Sequence, residues 1–363
     1  LDCFLKPFNL KFAPEISTSN RCMIGGMIGN NAAGSHSVIY GTTREHVIAI
    51  EALLSDGTVV EFGPMTDDEL SAKCTLKTLE GEIYRTVTGV INQHRGQILK
   101  RYPKPEIIRR NTGYPLDVLA KAQPWVKSGS LFNLAPFLCG SEGTLAFTLS
   151  ATLKLVEIPK AKGLSCIHFS SLDEAMAATP VILKHQPAAI ELMDKRLLVL
   201  TENHLAHRRN RQWIEGSPEA VLAVEFLGDS DAEITACFKK LTADLKQQQL
   251  GYAYPVISKA EAAKVWAIRK AGLGLLMGVK NRQKPVAVIE DSAVAPSDLL
   301  SYTKAISAIM AREKINCVYY GHASVGLLHL RPELDLAKVE DRLLFTALAD
   351  EVADLVKSFN GSL

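Results

Sequence analysis

The sequence predicts an α+β protein built in two parts, and three observations carry that expectation. Residues up to about Pro159 are rich in glycine, turns and short β-type runs. Beyond them, strands alternate with amphipathic helices, the pattern of a sheet covered on one face by helices. At 363 residues the chain also exceeds the usual size of one domain. The boundary is expected between residues 158 and 159, with Pro159-Lys-Ala-Lys-Gly163 as a linker.

The elements follow in order. Residues 21–41 combine Gly25, Gly26, Gly29, Gly34 and Gly41 with Asn30, Asn31 and Ser35. Such a run reads as a loop, because glycine tolerates positive φ and lets backbone approach a ligand without a Cβ in the way. Its bare N–H groups can converge on an anion such as a pyrophosphate, although a plain Gly/Asn-rich turn has the same composition. Neither G-x-G-x-x-G nor the P-loop pattern is present. Next comes a hairpin: an apolar run from Val47, the turn Ser55-Asp56-Gly57, then Thr-Val-Val60. Apolar residues at 83, 87, 90 and 91 predict a helix over 81–94, and alternation predicts a strand over 146–156. In the second part, strands are expected at 164–169, 220–227, 286–291 and 317–320. The helices between and after them are expected at 171–185, 231–249, 297–313 and 338–359.

Three further clusters carry chemistry. Gly140-Ser-Glu-Gly-Thr144 joins permissive glycines to a carboxylate (Glu142) and two hydroxyls (Ser141, Thr144), a set that can hold sugar hydroxyls while the Gly143 backbone meets phosphate; a β-turn reads the same way. His322 and His329 are seven apart, so on one straight strand they would face opposite sides; they converge only if Ala-Ser-Val-Gly326 bends the chain. Convergent imidazoles suit a borderline divalent metal, which needs a further ligand, but histidines near strands also serve structure alone. Arg269, three residues after Trp266, and Lys284 would together suit an anionic carboxylate substrate. Trp266 and Arg269 could equally pack and solvate a helix face.

Bulk properties exclude more than they assign. With 47% hydrophobic and 22% charged residues the composition is that of a soluble globular enzyme. A net charge of +2 gives nucleic-acid binding no electrostatic support. No apolar run is long enough to span a bilayer, and the opening residues carry neither a signal-peptide pattern nor an initiator Met. Seven scattered cysteines, without a C-x-x-C pair, point to reduced thiols in a cytoplasm-like compartment.

Together, in this order and over nearly the whole chain, the motifs resemble the flavin-dependent D-2-hydroxy acid dehydrogenases of the vanillyl-alcohol-oxidase superfamily. Ile24 to Gly34 looks like the family's second FAD-contacting loop and Gly140 to Leu145 like its closing FAD motif. The resemblance implies the second part of a PCMH-type FAD-binding domain (1–158), followed by a substrate-binding cap domain with an antiparallel sheet covered by helices (159–363). It implies Arg269 and Lys284 as carboxylate-binding residues, and His322 and His329 as ligands of a divalent metal, usually zinc or manganese. Arg109-Arg-Asn-Thr-Gly-Tyr114 and His329-Leu-Arg-Pro332 resemble the long bacterial D-2-hydroxyglutarate dehydrogenase branch, which carries a C-terminal iron–sulfur domain. Where lactate and glycolate enzymes read Gly-His-x-Gly-Asp-Gly-Asn-x-His, Ala323-Ser-Val-Gly-Leu-Leu328 lacks the Asp and the Asn. By the same resemblance the chain is truncated at both ends: a Gly-rich pyrophosphate loop would precede it. A Ser-Gly-Glu-His-Gly segment with the third metal ligand and the base would follow it, as would the iron–sulfur cluster. These residues alone are therefore expected to be inactive. The whole enzyme is expected to oxidise a small D-2-hydroxy acid (D-2-hydroxyglutarate or D-lactate-like) to the 2-oxo acid by hydride transfer to flavin N5 of FAD, and to pass electrons onward to an iron–sulfur domain, a quinone or another flavoprotein. A cytoplasmic place, peripheral to the inner membrane, and a homo-oligomer are compatible with this. The rival expectations are an ether-lipid-synthase-like flavoenzyme and a flavin-binding assembly module without its own catalysis.

Overall fold

Glycine is a poor helix former, each residue costing about 1 kcal/mol relative to alanine, yet Ile24–Asn30 form a helix, α1, rather than the expected loop. Tertiary burial overrides propensity here: Met27 and Ile28 are buried in two separate apolar clusters. Asn31 then closes the helix in the left-handed conformation at φ 52°, and the Ala32 N–H returns to the Met27 carbonyl at 2.9 Å. That is the bonding of a Schellman C-cap, with Asn in the usual glycine position. The computed structural model that shows this describes residues 1–110, 113–202 and 204–363.

The chain divides into two compact units. One comprises Leu1–Gly34, Tyr40–Pro103 and Asn111–Ile158; the other comprises Ser35–Ile39, Lys104–Arg110 and Pro159–Leu363. In the first, the expected hairpin forms as β1 (Val47–Leu53) and β2 (Val59–Phe62), with Gly57 at φ +85° in the turn. Strand β3 (Phe147–Leu153) pairs with the other edge of β1, giving an antiparallel three-stranded sheet in the order β2-β1-β3. Ile50 and Ala52 point inward beside Phe62 and Val60. They share a core with Tyr84, Ile91 and Ile98, which recur every two turns along helix α2 (Leu79–Arg101). The helix outruns the expected 81–94 at both ends. Thr78 caps its start, accepting from the Gly81 N–H at 3.3 Å, and Lys100 and Arg101 favour its C-terminal dipole.

The second unit is an eight-stranded sheet. Its elements are β4 (Ala161–Phe169), α3 (Leu172–Leu183), β5 (Ala189–Asp194), α4 (Lys195–Leu200), β6 (Ala220–Gly228) and α5 (Asp231–Gln247). There follow β7 (Val256–Ile257), α6 (Lys259–Met277), β8 (Lys284–Pro285), β9 (Ile289–Ala293) and α7 (Leu299–Arg312). Last come β10 (Cys317–His322), β11 (Leu327–Leu334) and α8 (Val339–Ser358). The spatial order is β8-β11-β10-β5-β6-β4-β7, with β9 also on β11, and every pairing is antiparallel. The expected linker at 159–163 is mostly strand, because β4 begins at Ala161.

The expectation of helices on one face also needs correction. Helices α3, α5, α7 and α8 cover one face, while α4 and α6 cover part of the other. The strands explain it. β5 and β10 are buried at every position, the near-continuous apolar pattern of a sheet that is enclosed on both sides.

Candidate active site

Strand register places Glu191, Glu225, His322, His329 and Arg331 on one face of the second unit's sheet. Directly opposed residues of an antiparallel pair share a face. Glu191 on β5 opposes His322 on β10, which opposes Leu327 on β11; one step along, Met193 opposes Tyr320, which opposes His329; beyond that, Val318 opposes Arg331. Ala189 lies on the same face and opposes Glu225 of β6. Val318, Val221 and Met193 on this face pack under α4 and α6, beside the charged residues. Helix α6 supplies Arg269, buried beside Val265 and Ile268.

The two histidines converge as the bend requires. A short 3-10 turn, Ala323–Val325, links β10 to β11, and Gly326 takes φ +68° where a Cβ would strike the Val294 carbonyl oxygen at 1.8 Å. The imidazole centroids come to 5.3 Å, nearly perpendicular at 78°. Each ring holds a carboxylate through Nδ1. His322 Nδ1 is 2.7 Å from Glu191 Oε1, and His329 Nδ1 is 2.7 Å from Glu290 Oε1 and 3.0 Å from Asp291 Oδ1. A β-bulge after Ile289, with Asp291 at φ 56°, turns two consecutive carboxylates onto one imidazole. Bulges re-aim side chains in this way next to functional sites.

Each acid also meets an arginine. Glu191 Oε2 lies 2.7 Å from Arg269 Nη2, Asp291 Oδ2 lies 3.1 Å from Arg109 Nη2, and Glu290 Oε2 is in contact with Arg331 Nη2. Arg269 and Arg331 flank one aromatic ring, their guanidinium carbons 5.2 and 6.0 Å from the Tyr320 centroid. On the same face, His36 Nε2 lies 2.6 Å from Glu225 Oε2.

The electrostatics set the protons. Burial alone would raise Glu191, which is wholly enclosed, but the charges of His322 and Arg269 bring it down to about 2. Burial holds His322 down at about 4 against the pull of Glu191, so at neutral pH the ring is uncharged. An ionised carboxylate only accepts, so the remaining proton sits on Nδ1 and Nε2 keeps its lone pair. His329 moves the other way. Burial opposes its charge, but the hydrogen bonds it donates to Asp291 and Glu290 raise it above the ordinary imidazole value. The same partners hold Asp291 well below the usual carboxylate range despite its burial.

Lys284 is not brought to this cluster. It is exposed on the two-residue edge strand β8, opposite Leu334. That is five residues along β11 from His329, or about 17 Å at strand spacing. Sequence reasoning did not single out Glu191, Glu290, Asp291 or Arg331 as site residues. A charge inside the apolar run Ala189-Ile-Glu-Leu-Met193 was the available signal for Glu191.

In the first unit, the two glycine-rich motifs meet. The Gly140 N–H donates to the Ile28 carbonyl and the Glu142 N–H to the Gly29 carbonyl, both at 2.9 Å, so residues 140–144 dock on the C-terminal end of α1. Gly140, Glu142 and Gly143 all take positive φ. Arg44 fixes the approach to this turn, reaching the Pro136 carbonyl through Nε at 3.1 Å and the Cys139 carbonyl through Nη2 at 2.9 Å. Ser141 is buried, while Thr144 receives Tyr114 at 2.9 Å on the exposed side. Asn31 is fully buried and accepts from Thr42 Oγ1 and the Arg44 N–H, both at 2.9 Å, with no partner for its Nδ2 among the described residues. Gly25, Gly26 and Asn30 lie exposed on α1, and a Cβ at either glycine would meet nothing within 4 Å. Gly34 is the tight position: a Cβ there would fall 1.6 Å from the Glu15 carbonyl oxygen. Gly41 takes φ +70° before the capping box of Thr42 and Glu45. Ser35 belongs to the second unit. Of the 109–114 motif, Asn111 and Thr112 lie outside the described residues.

Comparison with known proteins adds three findings. Residues 158–363 match the family described as FAD linked oxidases, C-terminal domain, and residues 1–63 match an FAD binding domain. D-2-hydroxyglutarate dehydrogenase of Pantoea ananatis is 32% identical over 373 residues, covering 100% of this chain and 36% of that protein; the Escherichia coli protein of the same name is 31% identical with the same coverage. D-lactate dehydrogenase of Archaeoglobus fulgidus is 24% identical, over 89% of this chain and 56% of that one. The chain thus spans about a third of the length of the first curated relatives it matches. Among solved structures, p-cresol methylhydroxylase superposes with a TM-score of 0.59 at 12% identity, covering 99% of this chain and 65% of that one. Alkyldihydroxyacetonephosphate synthase gives 0.57 at 12%, covering 100% and 57%. At such identity these two likenesses concern the fold alone.

Proposed function

Since this chain belongs to the FAD-linked oxidases, we propose that its protein oxidises a D-2-hydroxy acid to the 2-oxo acid, with D-2-hydroxyglutarate as the reference substrate. The observation that carries the reading is the buried set Arg269–Glu191–His322, a guanidinium and a neutral imidazole held by one enclosed carboxylate. The relatives named D-2-hydroxyglutarate and D-lactate dehydrogenase support the substrate class. Residues 1–158 hold the cofactor in this reading and residues 159–363 bind the acid, with the 35–39 and 104–110 segments belonging to the substrate unit.

FAD, when bound, supplies the acceptor for the hydride. The residues of the first unit fit it: an open glycine face on α1, the positive-φ turn at 140–143 and the spare Asn31 Nδ2 leave room and donors for phosphate and ribityl oxygens. In the second unit, Arg269 receives the substrate carboxylate, because its Nε is buried without a hydrogen-bond partner among the described residues. Glu191 aims Arg269 and fixes the His322 tautomer, so the His322 Nε2 lone pair faces the site. His329 holds a proton on Nδ1 against Glu290 and Asp291. Burial of Glu191, His322 and Arg269 strengthens the interactions among them.

A divalent metal fits the donor set. Both imidazoles carry an Nδ1–carboxylate bond and present Nε2, the support found behind metal-bound histidines, and Glu290 and Asp291 group with His329 within 4.8 Å. A zinc or manganese ion held by His322 and His329 would act as a Lewis acid on the substrate hydroxyl. Onward transfer to an iron–sulfur domain, quinone or second flavoprotein belongs to the whole protein. Among the described residues no helix is long and apolar enough to cross a membrane.

The test is dye-linked turnover by the full-length protein on a panel of D- and L-2-hydroxy acids. D-2-hydroxyglutarate should be oxidised, and Arg269→Ala should raise KM at least 100-fold. Turnover of no D-2-hydroxy acid, or an unchanged KM, would refute the reading.

A further inference from the structure

We propose that the buried guanidinium of Arg331, and not Lys284, is the cation that selects for a second carboxylate on the substrate. The inference rests on the reading of Arg269 as the partner of the first carboxylate. Its ground is an incomplete set of hydrogen bonds. Arg331 has a side chain only 4% exposed, and its Nη1 is buried with no hydrogen-bond partner among the described residues. Nε and Nη2 are occupied by the Tyr320 hydroxyl, at 3.4 and 3.2 Å. A buried donor without an acceptor costs about 1–3 kcal/mol, so such a group marks where an acceptor belongs. Arg269 shows the same deficit at Nε. Both guanidinium carbons lie close to the Tyr320 centroid, at 5.2 and 6.0 Å, so they cannot be further apart than the sum of those distances. A five-carbon diacid, with one carboxylate on each guanidinium, fits within that limit.

Glu290 already shows the interaction. Its carboxylate bridges His329 and Arg331, yet its side chain is 42% exposed, so it is the acid in this cluster that solvent can most readily receive. It stands where a ligand carboxylate would stand. A substrate bearing a second carboxylate replaces it on Arg331 and adds an acceptor for Nη1; a monoacid of equal length leaves Glu290 in place. Lys284 is excluded by position, exposed on the edge strand opposite Leu334. Its flexible ammonium also lacks the planar fork that reads a carboxylate.

The experiment compares D-2-hydroxyglutarate with D-2-hydroxyvalerate, which has the same carbon count and no second carboxylate, on the full-length flavoprotein. The ratio of kcat/KM for diacid over monoacid is measured for wild type, Arg331→Met, Arg331→Lys and Lys284→Met. In parallel, calorimetry gives Kd for 2-oxoglutarate and 2-oxovalerate. The diacid ratio should fall at least 30-fold in Arg331→Met and at least 5-fold in Arg331→Lys, and stay within 3-fold in Lys284→Met. If Arg331→Met does not fold, Arg331→Lys, which keeps the charge but not the fork, decides. A ratio within 3-fold of wild type in the folded Arg331 variants, or a selective loss in Lys284→Met, overturns the proposal. If wild type oxidises neither acid, the dehydrogenase reading fails, and the calorimetric ratio still decides the role of Arg331.

Discussion

The two units hold their candidate ligand sites by opposite means. In the first, the surface offered is backbone and small residues: Gly25 and Gly26 on α1, and the turn at 140–143 docked on the end of that helix. Side chains there work from behind, with Asn31 and Arg44 tying loops together. In the second unit the side chains themselves form the site, carried on strands whose register sets their spacing. A backbone site stays open because residues are small. A side-chain site stays ordered because each charge has a partner. The first should therefore be sensitive to added atoms and the second to removed ones.

Removal should have the largest effect at Glu191, which is completely buried between Arg269 and His322. Glu191→Ala leaves a buried guanidinium unpaired, a change worth about 3–5 kcal/mol. Denaturant unfolding of the full-length protein should show it as a lower midpoint, with Glu191→Gln intermediate. A loss below about 1 kcal/mol would mean that the charged face does not depend on its internal pairing.

A smaller effect of opposite character is expected three residues along. Asp194 caps α4, accepting from the Leu197 N–H at 2.9 Å and the Tyr319 N–H at 2.7 Å, and burial pushes its carboxyl up to about 7 in spite of those bonds. An unfolded aspartate titrates near 3.9. Between these values the folded chain binds a proton that the unfolded chain releases, so stability must fall as pH rises from about 4 to 7 and level off above. The contribution is on the order of 3–4 kcal/mol. Asp194→Asn should flatten that part of a melting-temperature profile; an unchanged slope would assign it to other groups.

The smallest stability change, and the sharpest separation of the two sites, comes from adding one methyl group. Gly26→Ala puts a Cβ into open space on α1 and improves helix propensity, raising the stability of the flavin-free protein by up to about 1 kcal/mol. The same methyl intrudes on the proposed cofactor surface, so FAD affinity, read by flavin fluorescence, should fall. Unchanged affinity would show that the open face of α1 is not where the cofactor lies.

What could be read from the sequence divides along the same line. A backbone site announces itself in composition, and residues 24–34 and 140–144 stood out for that reason, although their union through the Gly140 and Glu142 N–H groups joins segments more than a hundred positions apart, which no local pattern reveals. The helix at Ile24–Asn30 could not be read, because its stability comes from burying Met27 and Ile28 rather than from its glycines. The hairpin, helices α3, α5, α7 and α8 of the second unit and the bend between His322 and His329 were legible as local patterns. The partners of those histidines were not. Glu191 lies 131 positions from His322, and no periodicity joins them. Lys284 shows the converse: residue type and neighbourhood suggested a binding cation, while strand pairing carries it to an exposed edge.

The register that assembles the charged face also restricts how chain length can change. Removing one residue within 318–321 would reverse the alternation of β10, turning either Tyr320 or His322 towards the core under α7 and α8. Natural length differences between homologous chains should therefore collect in connections such as 201–218, between α4 and β6, and avoid the interiors of the paired strands.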